Sequence, residues 1–218
     1  MQIKLEPITH AYTVDGIPRP SQSALSDLVY GKTFYPETET QAEKRNRGND
    51  FHLTTHLIDN GKKLKSKPII DRWVSTWEKF KREWLLEDYE LRHNEEMFYA
   101  PTVGYCTTMD RVYYIEKSKS WAVLDIKTGA KDEVKNKFQL AAGLVALLDT
   151  PITPGIISGI SQGSDFVGIN FFLIGDDDYE ITSYPFSVTQ LSKYRNLLAS
   201  AVVIWNERMR AGKLQEVK

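Results

Sequence analysis

The sequence predicts a mixed α/β fold in which a central β-sheet is flanked by helices and preceded by an N-terminal helical segment. Three observations predict it. Helical and strand-like stretches interleave, in the order helices, three strands, a helix, further strands and a final helix. Of the 218 residues 41% are hydrophobic and 26% charged, enough apolar material for a substantial core. No internal repeat or low-complexity stretch interrupts the chain, so a single domain over residues 1–218 is expected. Its N-terminal strand and helices would cover 1–88, its core 89–185 and a C-terminal helix 187–212.

Each element has a local reason. Ile8 to Gly16 looks like a short strand entering an Asp15-Gly16 turn. Pro18 and Pro20 then break the chain before a short helix near Ser21–Tyr30. Thr38-Glu39-Thr40-Gln41 has the form of a capping box, opening a helix to about Asn60 with Gly61 as its stop. Pro68 suits the first turn of a third helix. Its Ile70, Trp73, Trp77, Phe80 and Trp84 recur every three or four residues, a stripe that is a core face before it is a base-stacking surface.

Strands follow at Tyr89–Ala100, Val103–Glu116 and Trp121–Thr128, rich in β-branched and aromatic residues. Lys131–Asp149 returns to helix, with Val134, Phe138, Ala141, Val145 and Leu148 on one face, and Pro151, Pro154 and Gly155 end it. Strands are expected again near 155–160, 165–174 and 179–185. The last two are joined by the Asp176-Asp177-Asp178 turn, whose ligands are not spaced as in a calcium loop. Ser187-Val188-Thr189-Gln190 is a second capping box, opening a helix that should stop at Gly212.

Composition excludes several classes. No apolar run approaches the roughly 20 residues that span a bilayer, so no membrane partner is expected. The first residues lack the apolar core and cleavage site of a signal peptide, and a cytoplasmic protein is expected. The one cysteine, Cys106, precludes an internal disulfide and any multi-cysteine zinc or iron–sulfur site; it is expected to be a small buried residue. The 28 Lys and Arg against 29 Asp and Glu give a net charge of −1, which argues against a nonspecific polycation.

Chemistry concentrates in Gly104–Val112 and Trp121–Gly129. An antiparallel hairpin turning at Lys117-Ser118 sets Glu116 opposite Lys119, Tyr114 opposite Trp121, Val112 opposite Val123 and Asp110 opposite Asp125. Opposed residues have Cβ atoms about 4.5–5.5 Å apart, so the two carboxylates repel unless a cation lies between them. Asp125 and Lys127 project from one face of a strand crowded by Trp121, Val123, Leu124 and Ile126. Buried charges there are paired or functional: either an Asp110–Lys127–Asp125 ion cluster or a site for a hard, oxygen-loving divalent ion. With Lys127 holding a water, the second arrangement suits phosphodiester hydrolysis.

These residues resemble a known family. Gly104…Asp110, then Asp125-Ile126-Lys127-Thr128-Gly129, then a helix bearing Gln139, is similar to the PD-(D/E)XK nuclease superfamily, in its RecB-like and phage exonuclease branch. Arg47-Gly48-Asn49-Asp50-Phe51-His52 resembles that branch's upstream Gly and His, and His10–Gly16 followed by Pro20-Ser21 its opening segment. The resemblance implies a restriction-endonuclease-like core and a DNA exonuclease of phage or mobile-element recombination, using one or two Mg²⁺ or Mn²⁺ ions. It implies metal ligation by Asp110, Asp125, the Ile126 carbonyl and His52, with Lys127 orienting water and Gln139 supporting the site. An accessory acid is implied at Glu95 or Glu96; strand alternation with Phe98 favours Glu96. DNA is the implied partner, with a homo-oligomeric ring or a single-strand annealing partner as further possibilities.

The sequence also departs from the pattern. Gly143 stands where the branch has a Tyr, and Tyr105-Cys106-Thr107-Thr108 fills a loop of small residues. A nuclease-like module that binds DNA or protein without turnover therefore stays open, as does a site-specific endonuclease. His52 and His56, four apart, could hold zinc only with a third ligand that the sequence does not supply. Basic runs at Lys44, Arg45 and Arg47, at Lys62, Lys63, Lys65 and Lys67, and at Lys131, Lys135 and Lys137 flank the same elements and could meet phosphates.

Overall fold

Two antiparallel strands in the middle of the chain organise the rest. The structure is a computed structural model describing residues 1–6, 11–31, 39–62, 68–85, 88–129, 131–150, 166–175 and 177–212. A small antiparallel sheet comes first: β1 (Ile3–Leu5), β2 (Tyr12–Val14) and β3 (Ile17–Arg19), in that spatial order. Helices α1 (Gln22–Tyr30), α2 (Glu39–Asp59) and α3 (Pro68–Trp84) follow. The main sheet comprises β4 (Tyr89–Ala100), β5 (Tyr105–Ile115), β6 (Ser120–Lys127), β7 (Phe166–Ile174) and β8 (Asp178–Phe186), in the order of their numbering. Helix α4 (Glu133–Asp149) joins β6 to β7, the parallel pair, and α5 (Val188–Arg210) follows β8. This is the mixed α/β architecture that the alternation of elements predicts.

Helix ends form where the capping residues stand. Ser21 Oγ accepts the amide of Ala24 at α1, and Ser187 and Gln190 complete the capping box of α5. After α2, Gly61 adopts φ 75°, and Gly61 and Lys62 donate to the carbonyls of Ile58 and Leu57, satisfying the last turn. Pro18 does not break the chain but lies in β3 opposite Thr13, on an edge strand where a missing N–H costs little. The expected Thr38 cap, the strand near 155–160, Ile8–His10, Asp176 and Lys63, Lys65 and Lys67 lie outside the described residues.

Both faces of the main sheet are covered, which explains the near-continuous apolar run of β6. On one face Val112, Trp121 and Val123 pack with Phe138 and Leu144 of α4 and Leu198 of α5. On the other, Leu124, Ile126 and Phe171 pack with Phe51 of α2 and Trp73, Trp77 and Phe80 of α3. The aromatic stripe is thus core through Phe80, whereas Trp84 is exposed, as is Val134 at the start of α4. No helix among the described residues is long and apolar enough to cross a membrane.

The hairpin register is the expected one, from Ile115 opposite Ser120 to Arg111 opposite Leu124. There the sheet forks. Past Arg111, β6 continues beside β7, while β5 acquires a different neighbour: Ser21 bridges Cys106 in parallel, and the Cys106 amide donates to the Pro20 carbonyl at 3.0 Å. Tyr12 and Val14 pack on Tyr99 and the buried Cys106 beside this seam.

Candidate active site

The fork is where the charged residues gather. Asp110 is the first β5 residue beyond the paired rungs, and its Oδ2 accepts the amide of Ile126 at 2.6 Å. A carboxylate thus fills the gap between the diverging strands. Across β5, Glu95 lies between the Asn94–Arg111 and Glu96–Met109 pairs, facing Asp110. Asp125, one residue past the last paired rung of β6, lines the same cleft as Asp110.

Helix α2 supplies the imidazole. At Gly48 an added Cβ would lie 2.7 Å from Thr128 Oγ1, so the absence of a side chain lets the helix approach the end of β6. One turn later His52 Nδ1 lies 3.4 Å from Glu95 Oε1 and 3.5 Å from Asp110 Oδ1. Burial alone would lower the His52 pKa, but Asp110, reinforced by Glu95, outweighs it and pushes the value up to about 10. Asp110 responds in the opposite direction: burial opposes its ionisation, and His52 and the Ile126 amide bring its pKa below the ordinary value.

Lys127 Nζ stands 2.8 Å from Asp125 Oδ2 and donates to Gln139 Oε1 at 2.8 Å. Lys127 is thus the partner of the Asp125 Oδ2 oxygen. Burial works against the ammonium, yet Asp125 holds the Lys127 pKa above the ordinary value, so the side chain is charged. For Asp125 burial prevails over Lys127, Asp110 adds repulsion, and the pKa rises. Gln22, Thr108, Asp110, Asp125, Gln139 and Gly143 line the small cleft inside the fork.

Asp110, Asp125, Lys127, Gln139 and His52 therefore come together, and Ile126 joins them through its amide. Glu96 does not. Its carboxylate pairs with His93 Nδ1 at 2.6 Å, while Glu95 takes the position beside His52. A bulge between Leu91 and His93 shifts the alternation, and Glu95 has a left-handed φ of 53°. His56 binds Asn94 and Asn60 instead of sharing a site with His52. A Cβ at Gly143 would lie 3.2 Å from Val123, so this position is a tight helix–sheet contact at the edge of the cleft.

The sequence reading missed two residues, Gln22 and Arg111. Gln22 Oε1 accepts the Thr107 hydroxyl at 2.6 Å, which holds the Gln22 amide at the cleft. Arg111 lies fully buried behind these carboxylates, and a lone arginine inside an apolar strand was the available signal that a buried partner had to exist. The basic run before Gln139 is largely engaged within the fold: Lys131 pairs with Glu180, Lys135 with Asp27 and the Gly31 carbonyl, and Lys137 lies over Tyr184.

The donor set fits a hard divalent cation. Ligand atoms of His52, Glu95 and Asp110 all lie within 4.8 Å of one another, and the Asp125 carboxylate lines the cleft beside Asp110. At neutral pH a protonated His52 partly offsets this charge in the metal-free protein.

No protein-family model matches the chain, and no curated protein matches it. Among solved structures, LHK-Exo from Laribacter hongkongensis, an alkaline exonuclease crystallised with dAMP, is 11% identical with a TM-score of 0.44, over 90% of this chain and 95% of that one. A candidate exonuclease from Eubacterium rectale is 10% identical with a TM-score of 0.48, covering 90% and 83% of the two chains. A phage-related exonuclease from Haemophilus somnus is 13% identical with a TM-score of 0.35, covering 90% and 96%.

Proposed function

We propose that this protein is a Mg²⁺- or Mn²⁺-dependent deoxyribonuclease, acting as an exonuclease in DNA processing of the phage or mobile-element kind. The observation that carries the reading is the convergence of Glu95 and Asp110 on His52, with Asp125 in the same cleft beside the charged Lys127. An ion here would be held by Asp110, Asp125, Glu95 in place of Glu96, His52 and the Ile126 carbonyl. When bound, such an ion acidifies water and offsets negative charge on a phosphate.

The chain's own groups supply the rest. Lys127 is protonated and so donates: it orients an attacking water and stabilises charge on the phosphate. Gln139 fixes the Lys127 ammonium, and α4 fixes Gln139. Lys44, Arg45 and Arg47 on α2 would meet the DNA backbone beside His52. Gly143 packs closely against Val123 of the sheet, and a module that binds without turnover remains the second reading.

The test is hydrolysis of linear and covalently closed DNA in Mg²⁺ and in Mn²⁺ by wild type, Asp125→Ala and Lys127→Ala. Linear DNA should be degraded by wild type alone while closed circles survive. Cutting of the circles would make the enzyme an endonuclease, and equal cutting by all three proteins would remove the assignment.

A further inference from the structure

We propose that Arg111 is a positioning residue for Glu95, tying the metal-binding cluster to a second buried charge cluster behind the sheet; this rests on the metal-site reading above. Each arm of the fully buried guanidinium has a separate task. Nε donates to Asp59 Oδ2 at 2.8 Å, and Nη2 donates to Thr55 Oγ1 at 3.1 Å. Nη1 donates to the Asp110 carbonyl at 2.6 Å and to Glu95 Oε1 at 3.3 Å. The guanidinium carbon lies 5.4 Å from the centre of the Trp77 ring.

Asp59 already supplies the counter-charge that Arg111 needs in a buried setting. The contact to Glu95 is therefore additional. It restrains the carboxylate without consuming the negative charge that a cation requires. Glu95 needs such restraint, because its left-handed backbone is unfavourable for a residue with a side chain and must be held by its surroundings. The Thr55 hydroxyl that receives Nη2 donates in turn to the His52 carbonyl at 3.1 Å, so the guanidinium is anchored to α2 as well as to Asp59. A lysine could not replace it, since one ammonium lacks the planar fork that serves four acceptors at once.

The experiment is Mn²⁺ binding, read by electron paramagnetic resonance of the free ion, with thermal melts confirming folding. Wild type, Arg111→Lys, Glu95→Ala and the double variant form a cycle. Arg111→Lys should weaken Mn²⁺ binding about 10- to 100-fold, the range for outer-shell partners of metal ligands. In the Glu95→Ala background it should add nothing. Unchanged affinity in Arg111→Lys, or a loss that persists in full without Glu95, overturns the proposal. If Arg111→Lys does not fold, Thr55→Val decides: it releases one arm and keeps the Asp59 pair. Mn²⁺ binding weakened by Thr55→Val in wild type but not in the Glu95→Ala background supports the proposal, and wild-type affinity, or an equal loss in both backgrounds, overturns it. A wild-type protein that binds no Mn²⁺ removes the metal site as well, whereas variants that bind like an intact wild type remove only the role of Arg111.

Discussion

Helix α2 carries His52 and Asp59 two turns apart, and each belongs to a buried charge cluster of opposite character. The Asp59 cluster is closed. Its carboxylate accepts from Trp77 Nε1 at 3.2 Å, Lys81 at 2.8 Å and Arg111 at 2.8 Å. The His52 cluster is open: Asp110 and Asp125 line a cleft, Glu95 lies beside His52, and burial with the repulsion of Asp110 raises the Asp125 pKa. A cluster that only holds the fold together can saturate its donors and acceptors, as Asp59 does. A cluster that must receive a cation keeps an excess of acceptors and bears the repulsion.

Removing one charge from each cluster should give opposite results, and this is the sharpest way to break the comparison. Asp59→Ala leaves Arg111 and Lys81 without their shared partner and should cost about 3–5 kcal/mol in urea denaturation. Lys127→Ala should lower the rate of DNA hydrolysis about 100- to 1,000-fold while leaving the protein folded, measured as initial rates on linear duplex. Mn²⁺ at 100 times its Kd should stabilise wild type by about 2.7 kcal/mol, a gain absent from Asp110→Asn in parallel melts. Asp125→Asn in the metal-free protein takes the counter-charge from Lys127 but also removes the repulsion with Asp110, and should cost less than Asp59→Ala in the same urea denaturation. Burial and Asp110 raise the Asp125 pKa even with Lys127 beside it, so part of the cost of losing the ion pair is returned. A large destabilisation there would place Asp125 in the structural class with Asp59.

The smallest effect concerns the buried thiol beside the fork. Burial pushes Cys106 from 9.0 to about 12. The folded state then retains a proton that the unfolded chain releases. This contribution is complete below about pH 9 and is lost as pH rises towards 12. The alkaline limb of the stability profile should flatten in Cys106→Ala, as measured by denaturation at pH 8 and pH 10.5.

What could be read from the sequence followed distance along the chain. The β5–β6 register was legible because a short turn and a two-residue alternation fix it, and Lys127 and Gln139 were legible because one crossover joins them. Glu95 was not, because a bulge three residues upstream and a positive φ cancel the alternation that pointed to Glu96. Arg111 could be recognised as an anomaly, but its partners Asp59 and Thr55 lie 52 and 56 residues away and nothing local announces them. Strand β1 was missed for a similar reason: three residues flanked by polar ones carry little periodicity and depend on β2 for pairing.

The forked sheet has a consequence for how the cleft is completed in time. The β5–β6 hairpin needs only a short loop, but Gln22 reaches Thr107 across 85 residues and Tyr12 reaches Thr108 across 96. Contacts that close such long loops form late, because chain entropy must be spent before they are rewarded. The segment that carries Tyr12 and Gln22 thus supplies the last wall of the cleft, which stays unfinished until that segment has docked against β5.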